Sequence, residues 1–314
     1  MMNTLVTHLS NAFQIRYIKL HFTLEFPEAT TLPKHKVSAI RGGVGEMLLR
    51  ANCVRDRKCE ACDFKTECMV QRTMYSQFEI LPSFVTTGES VGYVYECTDY
   101  REEFLAGDRL EFNLLLFGKT IVYFNQYMQA ICALGQQGLG KNHSRFYIVE
   151  VKNSKLQPIL SGNTLNMEKY EIQTVADYVE YRLKQMQHTI RSHKLVFDTP
   201  LTLKYKGEFL NEFQIEAIAA SVQRRIYMLD CFEGIENEWY REAVPLPKTI
   251  RQESRLQGVE RYSSRKQEKM LLRGIKGFIE TEPIKEELLQ LLLAGELLHI
   301  GKNTSFGFGQ YKIL

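Results

Sequence analysis

Three groups of residues in this sequence could do chemistry: its histidines, a run of four cysteines, and a glycine-rich turn near the C-terminus. His35 stands between Lys34 and Lys36, just before a stretch of helical periodicity. Imidazole exchanges protons near neutrality. Two adjacent lysines and a helix N-terminus disfavour its charged form, which suits a general base. The same positive groups would attract a phosphate. His21, on the polar face of a strand, and His143, in a glycine turn, are weaker candidates. His299, just before the last glycine turn, reads as a packed, hydrogen-bonded residue. His8, His188 and His193 read as surface residues.

The C-terminal turn carries Gly301, Lys302, Asn303, Thr304, Ser305, Phe306, Gly307, Phe308 and Gly309 in succession. Glycine permits positive φ and close backbone approach. Successive N–H groups beside Lys302 and Asn303 could cradle a phosphodiester; a tight, bulged connection between helix and strand would use the same residues. Tyr262, flanked by Arg261 and Arg265, is a second cluster. Tyrosine can stack on a base and arginine grips phosphate bidentately, although a solvated strand edge reads the same way. Arg41, Arg224 and Arg225 fall on helices, where arginines usually meet solvent or acids.

The cysteines are spaced Cys53-x5-Cys59-x2-Cys62-x5-Cys68. Four thiolates at this spacing can close around a structural zinc, with an iron–sulfur cluster as the other expectation. Four bound thiolates would leave a zinc no open position, so catalysis there is not expected. Four reduced cysteines in a short helical hairpin are the plainer reading. Cys97, Cys132 and Cys231 sit in apolar contexts. The N-terminus lacks the basic start and long apolar stretch of a signal peptide, and no apolar run approaches the ~20 residues of a membrane span. A cytoplasmic location with reduced thiols is therefore expected.

The elements that must position these groups follow from periodicity. Ile18, Leu20, Phe22, Leu24 and Phe26 alternate with polar residues, as in a half-buried strand. Val37, Ile40, Val44 and Leu48 mark a helix over 36–51. Strand-like runs occupy 77–85, 90–97 and 110–117, a helix fits 121–134, and a strand follows at 145–151. That β-α-β-β-α-β order is ferredoxin-like. The second half repeats it. A strand over 194–205 contains Pro200, which favours an edge or bulge. Ile215, Ile218, Val222, Ile226 and Leu229 mark a helix, strands lie around 240–281, and Ile284 to Leu298 form a last helix before a final strand. The 314 residues suit about two domains, and 44% apolar and 25% charged residues describe an ordinary soluble protein. A formal charge of +3 does not announce nucleic-acid binding, so any such face must come from local clustering.

One short match supports duplication. Gly140-Lys141-Asn142-His143-Ser144 and Gly301-Lys302-Asn303-Thr304-Ser305 lie about half a chain apart, each between a predicted helix and a predicted strand. The expected architecture is α+β, with two tandem ferredoxin-like (RRM-like) domains at 1–152 and 191–314. A linker with a helix spans 153–190, and a four-cysteine insertion at 52–70 follows the first helix.

The final glycine pattern resembles the signature of RAMP-superfamily proteins of CRISPR systems. Arg41-Gly42-Gly43-Val44-Gly45 resembles their first helix start. Phe197-Asp198-Thr199-Pro200-Leu201, Arg261 to Gln267 and Gly274-Ile275-Lys276-Gly277 resemble blocks of their second domain. Together they resemble the CRISPR-associated endoribonucleases that process precursor CRISPR RNA. The resemblance implies a metal-independent cut, in which the substrate's 2′-hydroxyl attacks the adjacent phosphate and leaves 2′,3′-cyclic phosphate and 5′-hydroxyl ends. It implies catalytic roles for His35, Lys36 and Tyr262. RNA contacts are implied for Lys34, Arg41, Lys141, Asn142, His143, Arg261, Arg265, Gly301, Lys302, Asn303, Thr304, Ser305, Gly307 and Gly309. CRISPR repeat RNA is the implied partner, with other effector subunits and a second copy of the chain as further expectations. A non-catalytic RAMP subunit and a ferredoxin-like metal-binding interaction protein are the alternatives.

Overall fold

The computed structural model describes residues 13–85, 90–162, 164–186, 191–235, 245–263 and 268–314. The chain is a mixed α+β protein with two large antiparallel sheets and, among the described residues, two further two-stranded ones. In the first half, β1 (Arg16–Glu25) alternates inward and outward along its length. It leads to α1 (Val37–Asn52), whose Ile40, Val44 and Leu48 are buried. After the short α2 (Met69–Met74) come β2 (Tyr93–Glu96), β3 (Arg109–Phe117), α3 (Phe124–Gln137) and β4 (Tyr147–Lys152). The sheet order is β2-β3-β1-β4, extended by two short strands at Pro158–Ser161 and Thr164–Leu165. Facing residues fix the register: Phe22 pairs with Phe112 and their rings stack at 4.9 Å.

The second half begins after α4 (Val175–Gln185), which a Thr174–Asp177 capping box starts. It contains β5 (His193–Leu201), α5 (Ile215–Glu233), β6 (Thr249–Ser263), β7 (Glu268–Thr281), α6 (Glu286–Leu298) and β8 (Tyr311–Ile313). Its sheet order is β6-β7-β5-β8, the same connectivity as the first. Apolar residues of both halves share one core: Ile15, Val94 and Phe117 pack with Leu195, Ile218, Val222 and Leu288. A second core belongs to the first half alone. No described helix is long and apolar enough to cross a membrane.

Several expectations needed correction. Residues 77–85 form no strand; Pro82 supplies no donor, and the segment is pinned by an Ile80 N–H bond to the Cys231 carbonyl. The stretch expected to be a linker partly joins the first sheet, and Gln173–Thr174 pairs with β1. Of the two places expected for Pro200, an edge or a bulge, it takes the second: β5 is an inner strand with an irregularity between Phe197 and Leu201. His193 is buried, because its Nδ1 accepts the Ile284 N–H that opens the last helical segment.

Gly309 has φ +70°, and a Cβ there would lie 1.9 Å from the Ile300 carbonyl oxygen. Gly107 has φ +86° with open space around it. Gly107→Ala is expected to cost about 1 kcal/mol of backbone strain, and Gly309→Ala clearly more, because backbone must also shift. Urea unfolding of both variants checks the difference.

Candidate active site

α1 starts at the seam between the halves, and His35 precedes it. The His35 ring meets Tyr100 edge-on, with centroids 5.4 Å apart and planes at 73°. His35, Tyr100, Pro200, Val259, Phe306 and Gly307 line one cleft, so the first half's helix start faces the second half's glycine turn and long hairpin. Lys276 on β7 reaches the same place, its Nζ 5.8 Å from the Tyr100 ring centroid. Burial, then Lys34, Lys276 and Lys36, lowers the His35 pKa from its ordinary value. Burial, helped by Cys97 and Asp198, raises that of Tyr100. The site therefore holds a neutral imidazole beside a protonated phenol and a lysine ammonium.

The sequence did not single out Tyr100 or Lys276. Lys276 lies opposite Arg255 across the β6–β7 register, on the sheet face away from buried Ile275. Alternation within its glycine-flanked block could have shown that it leaves the core. Nothing local could show that it meets His35.

Lys36 is a correction. Its side chain is buried, and its ammonium donates to the Asp99 carbonyl at 2.9 Å and to the Arg101 carbonyl. Asp99 Oδ1 lies 4.0 Å away, and the Phe104 ring centroid 5.4 Å away. Lys36 braces the loop that carries Tyr100 and does not enter the cleft; Lys34 is exposed. Tyr262 pairs with Lys269 through the hairpin backbone, and its side chain lies outside the described residues, as does Arg265.

The glycine turn also differs from expectation. The N–H groups of Ile300, Gly301, Lys302, Phe306, Gly307, Phe308 and Gly309 all bond protein acceptors, including the Thr202 and Pro200 carbonyls and Ser221 Oγ. Thr304 and Ser305 are buried. Most of this turn's N–H groups are thus consumed by packing; Lys302 is exposed, and Gly301, Asn303 and Phe306 are partly exposed. Lys141, Asn142 and His143 are exposed in the first-half turn, where Asn142 Nδ2 donates to the Thr31 carbonyl, on the segment leading to His35.

Phe306 carries two cations. The Arg41 guanidinium lies 4.2 Å and the Arg261 guanidinium 4.5 Å from its ring centroid. Behind the turn, buried His299 bonds Glu96 through Nε2 at 3.0 Å and the Phe308 carbonyl through Nδ1 at 3.1 Å. Glu96 also accepts from Asn113 at 2.7 Å and pairs with Lys19 at 2.8 Å. Burial alone would push its carboxyl up, but Lys19 and His299 hold it well below the usual carboxylate range. His21 has its pKa lowered by burial and Lys19, and faces Asn113 across the sheet, away from the cleft lining.

The cysteine segment gives no support to zinc or an iron–sulfur cluster. Among the described residues no three of His, Cys, Asp and Glu form a group that could hold a metal ion, and Cys53, Cys59, Cys62 and Cys68 are all free. Other contacts hold the segment. Cys53 Sγ accepts the Arg57 N–H, Arg57 pairs with Glu46, Arg55 with Asp63, and α2 buries Val70 and Met74.

Two sequence families match the chain. The AF_1859 N-terminal domain matches residues 14–174, and the family described as CRISPR-associated endoribonuclease Cas6 matches residues 195–311. No curated protein matches it. Among solved structures, a partial Cas6-RT-Cas1–Cas2 complex is similar at TM-score 0.57 and 11% identity, covering 96% of this chain and 46% of that one. The present chain thus spans less than half of that relative. A Thermus thermophilus Cas6 product complex gives TM-score 0.54 and 13% identity, covering 95% and 100% of the two chains. Another Cas6 product complex gives 0.50 and 15%, covering 95% and 99%. At these identities the likeness is one of fold.

Removing a cation beside an imidazole favours its protonated form. Lys276→Ala is therefore expected to raise the His35 pKa toward the ordinary histidine value, whereas removal of Lys302 leaves it in place. NMR titration of the imidazole protons checks both.

Proposed function

Because the chain belongs to the CRISPR-associated endoribonuclease Cas6 family, we propose that it binds CRISPR repeat RNA and cuts precursor CRISPR RNA by attack of the substrate's own 2′-hydroxyl. The observation that supports this most is His35, half-buried at the seam, with its charged form disfavoured by burial and three lysines. Neutral imidazole takes the proton from the 2′-hydroxyl. The 2′-oxygen then bonds to phosphorus and the bond to the 5′-oxygen breaks. Lys276, with Lys34 at the rim, counters the charge that develops on the phosphorane. Tyr100, kept protonated by burial, delivers a proton to the departing oxygen. The products are a 2′,3′-cyclic phosphate and a 5′-hydroxyl. The lysines supply the positive charge for this chemistry, so the reading assigns no catalytic metal.

The matching connectivity of the two sheets supports reading each half as a ferredoxin-like domain, at 1–152 and 191–314, with 153–190 between them adding strands to the first sheet and the cysteine segment as an insertion. RNA contacts are assigned to Lys34, Lys141, Asn142, His143 and Lys302, which are exposed, to the partly exposed Asn303, and to Arg41 and Arg261. Assembly with other CRISPR-associated proteins and with a second copy belongs to the same reading. A non-catalytic RNA-gripping subunit would have no use for a tuned histidine, and a metal-binding module lacks a site among the described residues.

The test is purified protein with repeat RNA in EDTA. Wild type is expected to cut once, with a rate that rises with pH as His35 loses its proton and levels off by about neutrality. His35→Ala is expected to lose roughly 10²- to 10⁴-fold in rate while binding RNA with a 2′-deoxy cleavage site as wild type does. Products with 3′-hydroxyl ends would refute the mechanism. An unaffected His35→Ala rate would move catalysis elsewhere.

A further inference from the structure

The two arginines over Phe306 are the least satisfied charges at the seam. Arg41 comes from α1 of the first half, Arg261 from β6 of the second, and Phe306 from the glycine turn. Among the described residues neither guanidinium has an acidic partner. Apart from the Phe306 and Tyr93 rings, Arg41 reaches only Ser90 Oγ, at 3.4 Å, and Arg261, apart from Phe306, only Met270 Sδ, at 3.3 Å, among the described residues. Both Nε atoms are shut off from solvent without an acceptor. Leaving such donors unpaired costs free energy, and two like charges in one place add repulsion. The Arg261 guanidinium is accordingly pushed down by burial and by Arg41.

Other arginines at the seam are not left this way. Arg182 pairs with Glu296 and the Ile313 carbonyl. Arg225 bonds the Leu298 and Val91 carbonyls. The Arg41–Arg261 pair has its planes set by an aromatic ring, and neither fork is filled by a carboxylate or carbonyl among the described residues. What fits is an anion with several acceptor oxygens, which arginine binds bidentately. Phe306 also lines the His35 cleft, as does Val259, two residues from Arg261 on the same strand face. The anion would therefore lie beside the reacting group and not at it.

We propose that Arg41 and Arg261 together bind one phosphodiester of the RNA, a neighbour of the phosphate cut at His35. This rests on the RNA-cleaving reading above. The two arginines come from different halves, so a phosphate bound by both fixes the register of the strand across the seam.

The experiment measures the affinity of repeat RNA with a 2′-deoxy cleavage site over a series of salt concentrations, for wild type, Arg41→Gln, Arg261→Gln, the double variant, and Arg261→Lys. Each glutamine variant is expected to bind roughly ten-fold more weakly. The slope of log affinity against log salt should fall by about 0.7, the value for one single-strand phosphate. The double variant should lose little more slope than either single one, because both arginines serve one phosphate. Arg261→Lys should restore the slope but only part of the affinity, since lysine lacks the fork. Without RNA, Arg261→Gln should melt no lower than wild type, because it removes a repelled charge. Unchanged affinity and slope in variants of a wild type that binds and cuts would overturn this site alone. A lowered melting temperature with unchanged affinity would make the arginines a structural clamp on Phe306, which also overturns it. A wild type that binds no repeat RNA at any salt would sink the functional reading and this site with it.

Discussion

The seam depends on a buried carboxylate. Glu96 ends β2 in the first half and is removed from water, a costly position for a charge unless it is closely paired. It is paired three ways, by Lys19, Asn113 and His299, and only His299 comes from the second half. The other nitrogen of that ring meets the Phe308 carbonyl. One imidazole thus ties the glycine turn to a strand of the other half. Any rotation of the halves would break charge-assisted bonds away from water, where their loss is largest.

From that tie the position of the cleft follows. The turn is pressed so close to β2 that a Cβ at Gly307 would lie 2.8 Å from the Tyr95 carbonyl oxygen. Gly307 and Phe306 are thereby brought opposite His35, and the long hairpin brings Val259 and Lys276 to the same opening. The first-half copy of the turn occupies the equivalent place in its own sheet, yet closes locally through a Leu139–Ser144 bridge and bonds to Thr31. It has an exposed His143 where the second copy has Thr304 buried. Two turns of like sequence are thus put to different uses: one holds the halves together, the other bonds the segment that leads to His35.

How much of this could be read in the sequence depended on whether the cause was local. Alternation from Ile18 to Phe26 and the 3.6-residue spacing from Val37 to Leu48 placed β1 and α1, because burial of one face is written into successive residues. His35 was legible for a similar reason: two of the lysines that tune it are its chain neighbours. Its larger determinant, burial, and its third lysine, Lys276, come from packing and register between distant segments. Lys34 and Lys36 looked equivalent in the sequence, and only the fold sends one to solvent and the other inward against the Asp99 and Arg101 carbonyls. The cysteine spacing suggested a metal because spacing is all a sequence offers there. The fold holds that segment by ion pairs and by burying Val70 and Met74.

The glycine turn shows why a motif can point to the right place for the wrong reason. Its glycines are required, but the close approaches they permit are to the Thr202, Tyr95 and Ile300 carbonyls, not to a ligand. With seven of the ten N–H groups from Ile300 to Gly309 already bonded within the protein, little of this backbone is left to cradle an anion. Its rigidity instead turns one side chain, Phe306, into a platform on which guanidiniums from two separate elements are held side by side. Positive charge at the cleft is thus carried by side chains, each anchored by a different part of the fold. Backbone N–H groups would have given a fixed and weakly salt-dependent contact. Arginines and lysines converging from both halves make substrate contact depend on ionic strength and on the halves being docked. The same docking that Glu96 and His299 hold also brings Lys276 toward His35, so on the proposed reading the grip on RNA and the tuning of the base depend on one interface.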